Sequence, residues 1–217
     1  MKERIVILGA GGHARVVAEC IDRSKYEIVG FLDKDDEHIG EYLDGIEIIG
    51  NDRNPKYWLE KGITGCVNGI GHVGNSTVRN KVYNKFKDVG FHMITMIHKR
   101  SIVSPNATLE DGVVVMPGVV INTGAYIKEN VIINSNAVVE HDAFIGEGSH
   151  IAPGCTISGG VKIGKNVLIG VGSSVIQSKV VGDNTVIGAG TVVNKDVPKE
   201  VIAVGNPVRI VRRIKEL

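Results

Sequence analysis

The chain has 217 residues, of which 43% are hydrophobic and 23% are charged. That balance supplies enough apolar side chain for a buried core and excludes wholesale disorder. The 25 Lys and Arg residues nearly cancel the 24 Asp and Glu residues, and a net charge of +1 gives no general attraction to nucleic acid or to an anionic membrane. We therefore expect neither as a partner.

The N-terminus and the cysteines favour a cytoplasmic protein. Only four apolar residues, Ile5 to Leu8, precede a glycine cluster, which is too short for a signal peptide or a membrane span. The three cysteines (Cys20, Cys66 and Cys155) are far apart and lack the spacing of metal ligands. We expect them to be reduced thiols packed in the interior.

The first hundred residues alternate between predicted strands and helices. Such βαβ alternation indicates a small Rossmann-like α/β domain, with a parallel sheet flanked by helices, over residues 1–100. The pattern predicts strands over Ile5–Leu8, Tyr26–Asp33, Ile63–Ile70 and Phe91–Ile97, helices over Ala14–Ile21 and Asn75–Lys87, and a loop from Lys34 to Gly45.

After Ser101, aliphatic residues recur at every sixth position. Sixteen such positions from Val103 to Val193 all carry Val, Ile or Leu, and small or β-branched residues usually lie four positions further on. A period of six fits neither an amphipathic helix nor simple strand alternation. It fits an all-β triangular solenoid in which about three hexads complete one coil. We assign residues 101–217 to this solenoid.

A glycine-rich turn follows the first predicted strand. Gly9, Gly11 and Ala14 have the spacing of a dinucleotide-binding fingerprint without its third glycine, and Asp33 ends the next strand. The domain holds only about half of a full dinucleotide-binding fold. Glycines that let the backbone approach a phosphate suit NAD and a nucleotide sugar equally well, so both ligands stay open on this pattern.

The hexads resemble those of the hexapeptide-repeat acyltransferases, which fold as a left-handed parallel β-helix. Further motifs narrow the resemblance to bacterial sugar O- and N-acetyltransferases, the branch that includes UDP-4-amino-sugar N-acetyltransferases, perosamine N-acetyltransferases and sialic acid O-acetyltransferases. Those motifs are Gly9-Ala10-Gly11-Gly12-His13, the FLD ending at Asp33, Asn134 and Val139-Glu140-His141-Asp142. The tail from Val204 to Ile214 is similar to the segment that closes many coenzyme A sites of the hexapeptide-repeat acyltransferases. The resemblance implies a homotrimeric enzyme that moves acetyl from acetyl-CoA to the amine of a nucleotide-linked sugar of the UDP-4-amino-sugar type.

The resemblance assigns the chemistry to three residues of the repeats. An amine that attacks a thioester needs a base with a pKa near neutrality, and His141 is the candidate. Asp142 matches the family's carboxylate partner, which would fix the tautomer of the imidazole. Asn134 matches a position near the acyl group, where its amide would orient the acceptor or polarise the carbonyl. An asparagine that merely stabilises its own turn explains Asn134 equally well.

The resemblance also implies where the two substrates bind. Acetyl-CoA would lie along the solenoid between neighbouring subunits, with its phosphates on basic side chains. The implied nucleotide-sugar residues are Gly11, Gly12 and His13, Asp33 and Lys34 on the uridine or ribose, and Gly71 in a further loop. The implied acetyl-CoA residues are His150, Gly159, Val171 and Ala189, together with Lys195 and Arg209.

Three other functions stay open. In the first, the enzyme acetylates a hydroxyl of sialic acid or a related glycan. In the second, the first domain is an NAD-dependent oxidoreductase and the repeats form a trimeric scaffold. In the third, the solenoid is a binding or structural module without catalysis. A catalytic metal needs three converging histidines, whereas the repeats contain only His141 and His150, so we expect no metal.

Overall fold

A computed structural model of the chain describes residues 2–72 and 76–214. The chain divides into two compact units. Among the described residues, the first takes in 2–71 together with 77–96, and the second takes in 72, 76 and 97–214. The assignment of separate roles to residues 1–100 and 101–217 stays a prediction.

The first unit is a six-stranded sheet in the order β3-β4-β2-β1-β5-β6, with β1 buried near its centre. Its strands are β1 (Glu3–Leu8), β2 (Tyr26–Asp33), β3 (Tyr42–Leu43), β4 (Ile46–Asn51), β5 (Gly65–Asn68) and β6 (His92–Met93). Its helices are α1 (Gly12–Cys20), α2 (Pro55–Glu60) and α3 (Thr77–Asp88). Neighbouring strands pair in parallel except β3 and β4, which form an antiparallel hairpin. The predicted α/β class of this unit is confirmed.

The sequence prediction fails mainly between β2 and β5. The segment from Lys34 to Gly45, predicted as loop, contains a 3₁₀ turn over Asp36–His38 and the strand β3. No element was predicted where β4 and α2 lie, because both are short and neither carries a long periodic run. The strand predicted over Phe91–Ile97 is two separate two-residue strands. Asn75, the predicted first residue of the second helix, lies outside the described residues.

Helix α1 packs closely on the end of β5 at Ala14, the residue that stands where the dinucleotide-binding fingerprint has its third glycine. A Cβ added at Gly69 would lie 2.8 Å from the Cβ of Ala14 and 2.8 Å from a methyl carbon of Ile7. The small side chain of Ala14 and the glycine opposite it therefore provide the close helix–strand contact that a third glycine gives in dinucleotide-binding folds.

The second unit is a parallel β-helix, which confirms the solenoid prediction. Its three faces are sheets of short strands, and the last strand folds back antiparallel on the one before it. The first face contains β7 (Met96–Ile97), β10 (Val114–Val115), β13 (Ile132–Ile133), β16 (His150–Ile151), β19 (Leu168–Ile169), β22 (Val186–Ile187), β24 (Val201–Val204) and β25 (Arg209–Arg213). The second face contains β8 (Ile102–Val103), β11 (Val120–Ile121), β14 (Val138–Val139), β17 (Thr156–Ile157), β20 (Ser174–Val175) and β23 (Val192–Val193). The third face contains β9 (Thr108–Leu109), β12 (Tyr126–Ile127), β15 (Phe144–Ile145), β18 (Lys162–Ile163) and β21 (Val180–Val181).

The aliphatic positions of the hexads form the axial core. From Val115 to Val193, every sixth residue is at most 1% exposed. Strands of successive coils lie in register eighteen residues apart, so that Tyr126 pairs with Phe144 and Phe144 with Lys162. Each coil buries its apolar side against the next one, as solenoid repeats require for stability.

The corners of the coils repeat one backbone conformation. One residue in every hexad from 112 to 190 has a positive φ angle. All of these residues are Gly, Asn, Asp or Ser, which are short or lack a side chain and so suit the left-handed conformation. They are Gly112, Gly118, Gly124, Asn130, Asn136, Asp142, Gly148, Gly154, Gly160, Asn166, Gly172, Ser178, Asn184 and Gly190. Asp142, a predicted catalytic residue, therefore occupies a corner position that favours short residues.

Within residues 2–72 and 76–214, none of the helices is both long enough and apolar enough to cross a membrane.

Candidate active site

The side chains of His141 and Asp142 form a hydrogen-bonded pair at the corner that leaves the second face. Nδ1 of His141 lies 2.8 Å from Oδ2 of Asp142, and the two side chains are 51% and 72% exposed. The hydrogen bond to Asp142 raises the pKa of His141 above its ordinary value, and the negative charge of Asp142 acts in the same direction. The pair combines a basic imidazole with open access from solvent.

The contact with Asp142 sets the tautomer of the neutral imidazole. A carboxylate only accepts hydrogen bonds, so Nδ1 of His141 donates and carries the proton. The lone pair of Nε2 is then available to accept a proton from another group. An imidazole with this tautomer is able to accept a proton at Nε2 while the carboxylate holds its orientation.

Two glycines in the adjacent coils make room for the pair. A Cβ at Gly159 would lie 2.5 Å from Nε2 of His141, and a Cβ at Gly124 would collide with the carboxylate of Asp142. Gly159, predicted to contact acetyl-CoA, is thus brought directly beside the predicted base. Any larger residue at either position would displace a side chain of the pair.

Asn134, at the corner that follows strand β13 of the first face, contacts His150, the first residue of strand β16 in the next coil. The amide Nδ2 of Asn134 lies 3.0 Å from Nε2 of His150, and Nδ1 of His150 lies 2.7 Å from the carbonyl oxygen of His72. A carbonyl only accepts, so His150 donates from Nδ1 and accepts the amide proton at Nε2. Oδ1 of Asn134 accepts from the backbone N–H of Ser135 at 2.8 Å. Asn134 is thus a side chain of fixed orientation, and the structure pairs it with His150 and Ser135.

The remaining predicted acetyl-CoA residues lie on the surface of the solenoid. Val171 and Ala189 occupy equivalent positions of successive coils, since Gly172 and Gly190 follow them at matching corners. Val171 is 55% exposed, and Ala189 is exposed as well. Lys195 and Arg209 are exposed cationic side chains.

The glycine turn of the first unit is tied down by Asp33. Its Oδ2 accepts a hydrogen bond from the backbone N–H of Ala10 at 2.8 Å, and its Oδ1 accepts from the N–H of Asp35 at 3.1 Å. Gly11 and Gly12 have open space where a side chain would be. Both carboxylate oxygens of Asp33 thus hold local backbone, a role that the sequence pattern did not indicate.

The other predicted nucleotide-sugar residues fall into two places. A Cβ at Gly71 would lie 3.5 Å from the Cβ of His13, so these two residues are neighbours. Lys34 is an exposed side chain whose ammonium lies 3.5 Å from the carboxylate of Asp35. The structure therefore brings His13 and Gly71 together, whereas Lys34 extends into solvent beside Asp35.

Arg79, which was not predicted from the sequence, is a fully buried arginine that contacts Ile70 beside Gly71. Arg79 shares the buried side of α3 with Val82, Tyr83 and Phe86. The spacing of these four residues, three and four apart, is the signal that would have placed Arg79 in the interior.

No metal centre is found among the described residues: within 2–72 and 76–214, no group of three or more His, Cys, Asp or Glu side chains is arranged to hold a metal ion.

Two protein families match separate parts of the chain. Residues 4–86 match the PglD N-terminal domain, and residues 124–159 match the bacterial transferase hexapeptide (six repeats). The first match covers most of the sheet unit, and the second covers the coils that carry His141, Asp142 and Gly159.

Solved structures match nearly the whole chain. A histidine-to-asparagine variant of perosamine N-acetyltransferase from Caulobacter crescentus, in complex with CoA and GDP-perosamine, has 35% sequence identity and a TM-score of 0.89, with 95% of each chain covered. The acetyltransferase domain of PglB from Neisseria gonorrhoeae, in complex with acetyl coenzyme A, has 30% identity and a TM-score of 0.87, with 97% of this chain and 100% of that one covered. WeeI from Acinetobacter baumannii has 24% identity and a TM-score of 0.82, with 95% and 99% covered, and shows a shared fold.

Proposed function

Because the chain belongs to the hexapeptide-repeat sugar N-acetyltransferases, we propose that it moves the acetyl group of acetyl-CoA to the amine of a nucleotide-linked amino-deoxy sugar. Its second unit is accordingly the left-handed parallel β-helix of that family. The Caulobacter relative with GDP-perosamine and the Neisseria relative with acetyl coenzyme A support the two substrate classes.

The observation that carries the proposal is the pair of His141 and Asp142 above Gly159. With Nδ1 held by the carboxylate, Nε2 of His141 accepts the proton of the sugar amine as its nitrogen attacks the thioester carbonyl. The new bond joins nitrogen to the acetyl carbon, and the bond from that carbon to sulfur breaks. The proton taken by His141 then passes to the departing thiolate, which leaves as a thiol.

The nucleotide sugar is assigned to the glycine turn of the first unit. Gly11 and Gly12 offer open backbone for a phosphate, and Asp33 holds the turn in that shape through Ala10. We assign His13 and Gly71 to the same site because they are neighbours. Within the class of nucleotide sugars, the UDP-4-amino-sugar type remains our proposed acceptor.

Acetyl-CoA is assigned to the surface of the solenoid in a homotrimer. The exposed Val171 and Ala189, one coil apart, form a track of small and aliphatic side chains suited to a pantetheine arm. Exposed Lys195 and Arg209 supply positive charge for phosphates.

A thiol-release assay tests the proposal. The chain would be incubated with acetyl-CoA and, separately, with UDP-, GDP- and dTDP-linked 4-amino sugars or free sialic acid, and the acetylated product would be identified by mass spectrometry. We expect turnover with at least one nucleotide amino sugar and an amide in the product. Turnover with sialic acid alone, giving an ester, would replace N-acetylation by O-acetylation.

A further inference from the structure

A buried arginine holds the backbone that follows strand β5. Arg79 lies in the first turn of α3 and is 1% exposed. Its Nη1 donates hydrogen bonds to the carbonyl oxygens of Asn68, at 2.9 Å, and of Ile70, at 2.5 Å. Burial lowers the pKa of Arg79 to about 9, which still leaves the guanidinium charged at neutral pH.

The stability of α3 does not explain this arrangement. Burying a cation removes its hydration, and a positive charge in the first turn of a helix is opposed by the positive end of the helix dipole. An apolar side chain of similar volume would pack there without either penalty. The hydrogen bonds from Arg79 to the carbonyl oxygens of Asn68 and Ile70 place its charge on the segment that follows strand β5.

That segment, Asn68 to Gly71, contacts the loop assigned to the nucleotide sugar. Asn68 adds two further hydrogen bonds between the segment and α3 or within the segment. Its Nδ2 donates to the carbonyl of Arg79 at 3.1 Å, and its Oδ1 accepts from the N–H of Ile70 at 3.2 Å. At the far end of the segment, Gly71 lies beside His13. Any shift of the segment changes the surroundings of His13.

We propose that Arg79 is a positioning residue for the nucleotide-sugar site: it fixes the segment from Asn68 to Gly71, and through that segment it fixes His13, without contacting the substrate itself. This inference rests on the proposed function. It separates two roles within one site, because Gly71 and His13 are assigned to substrate contact whereas Arg79 acts on their segment from the interior.

Steady-state kinetics of Arg79→Met, Arg79→Lys and Val82→Ala test the proposal. Val82 is buried on the same helix and serves as the matched control for lost packing. The acceptor is whichever UDP-, GDP- or dTDP-linked 4-amino sugar the wild type acetylates. We expect Arg79→Met to raise KM for that sugar roughly tenfold or more, since two charge-assisted hydrogen bonds are lost, and to leave KM for acetyl-CoA nearly unchanged. Arg79→Lys should restore part of the loss.

Amide hydrogen exchange supplies a readout that does not depend on activity. In Arg79→Met we expect faster exchange at residues 69–71, with strand β1 still protected, and no such local change in Val82→Ala. If Arg79→Met fails to fold, Asn68→Ala replaces it, because that variant removes the return hydrogen bond while Arg79 stays. It should raise the sugar KM in the same direction by a smaller factor.

The outcomes distinguish this proposal from the proposed function. Wild-type turnover of a nucleotide amino sugar, combined with equal KM changes for both substrates in the Arg79 variants, would overturn the positioning role alone. An equal sugar-specific effect in Val82→Ala would do the same, as would an unchanged sugar KM in the variant used. Failure of the wild type to acetylate any nucleotide amino sugar would overturn the proposed function and this inference together.

Discussion

The basicity of His141 depends chiefly on one neighbour. Asp142 accepts its Nδ1 proton at 2.8 Å, and that contact raises the pKa of the imidazole. Since both side chains are more than half exposed, water screens the charge of the carboxylate and limits its effect. Orientation of the ring is therefore as important a contribution as charge.

This pair predicts a shift in the pH dependence of the reaction. A base whose pKa is raised becomes deprotonated at higher pH, so the rising limb of kcat/KM in the wild type should lie above the ordinary histidine value. Asp142→Asn should move that limb to lower pH and reduce kcat. His141→Ala should reduce kcat further, by roughly 10²–10⁴, the usual contribution of a general base. Profiles measured at saturating acetyl-CoA would show both effects.

Glu140→Gln is the matched control for the loss of a negative charge. The carboxylate of Glu140 acts on the pKa of His141 only through its charge, and less strongly than Asp142 does. The rising limb of kcat/KM should therefore move less in Glu140→Gln than in Asp142→Asn. Titration of the sugar amine contributes equally to all of these profiles. A limb that stays in place in Asp142→Asn would contradict the assignment, and so would near-normal kcat in a folded His141→Ala variant.

Gly159 is predicted to be intolerant of even one added carbon. In Gly159→Ala the new Cβ would lie 2.5 Å from Nε2 of His141, so the imidazole must turn out of its present position. We expect kcat to fall by about tenfold or more, because small displacements of a catalytic group cost large factors in rate. Gln177→Ala, an exposed position in the same column one coil further on, should leave kcat unchanged. Equal kcat values in the two variants would show that the ring does not need the space above Gly159.

Individual contacts were less predictable than individual residues. The sequence indicated Asn134 and His150 separately, whereas the structure joins them by a hydrogen bond. The eighteen-residue register places Ile132 opposite His150, which brings Asn134 into the same region of the first face. No sequence pattern specifies that the amide of Asn134 turns toward the ring, because side-chain direction at a corner depends on the local backbone.

At the scale of elements, the turn after β1 owes its shape to the end of β2. The two strands pair in parallel up to Leu8 and Leu32, and the next residue, Asp33, accepts the N–H of Ala10 across the gap. The carboxylate thereby holds the turn that presents Gly11 and Gly12. A strand end and a glycine turn, predicted separately from sequence, act as one structural unit.

Asp33→Ala should accordingly weaken the binding of the nucleotide sugar much more than the binding of acetyl-CoA. Loss of the two backbone hydrogen bonds frees the glycine turn, and we expect KM for the sugar to rise by roughly tenfold. Asp35→Ala removes a neighbouring exposed carboxylate that accepts no bond from Ala10, and should have little effect. The two KM values of each variant give the measurement. Parallel increases for both substrates in Asp33→Ala would indicate a general folding role instead.

Long periodic runs were predictable at this scale, whereas short irregular elements were not. The hexads define sixteen strands of the solenoid because one aliphatic position repeats without interruption from Val103 to Val193. The hairpin of Tyr42–Leu43 with β4 has no such repetition, and its antiparallel pairing depends on the turn at Asp44 and Gly45. Only the three-dimensional arrangement reveals it.

At the scale of the whole molecule, the exposed apolar side chains of the solenoid predict self-association. Ile102 is 68% exposed on the second face, and Tyr126 and Phe144 stack on the third face with ring centroids 6.1 Å apart and remain partly exposed. Apolar surface of this kind favours a partner, and closed symmetry is usual among homo-oligomers. Sedimentation equilibrium at micromolar concentration should give three times the chain mass of 23.2 kDa. A single species of 23.2 kDa would contradict the homotrimer and the binding of acetyl-CoA between subunits.

Because strands eighteen residues apart pair on the same face of the solenoid, the length of an insertion decides on which face every later residue lies. A whole extra coil inserted after Lys162 would lengthen the axis by one translation and leave the corner of His141 and Asp142 as it is. A six-residue insertion at the same point would keep the aliphatic column continuous, yet it would rotate every later side chain by one face. Val171 and Ala189 would then lie along a different edge from the one they now share with the coils before them. Insertions that keep side chains on their present faces must therefore come in multiples of eighteen residues. The aliphatic core alone would accept multiples of six.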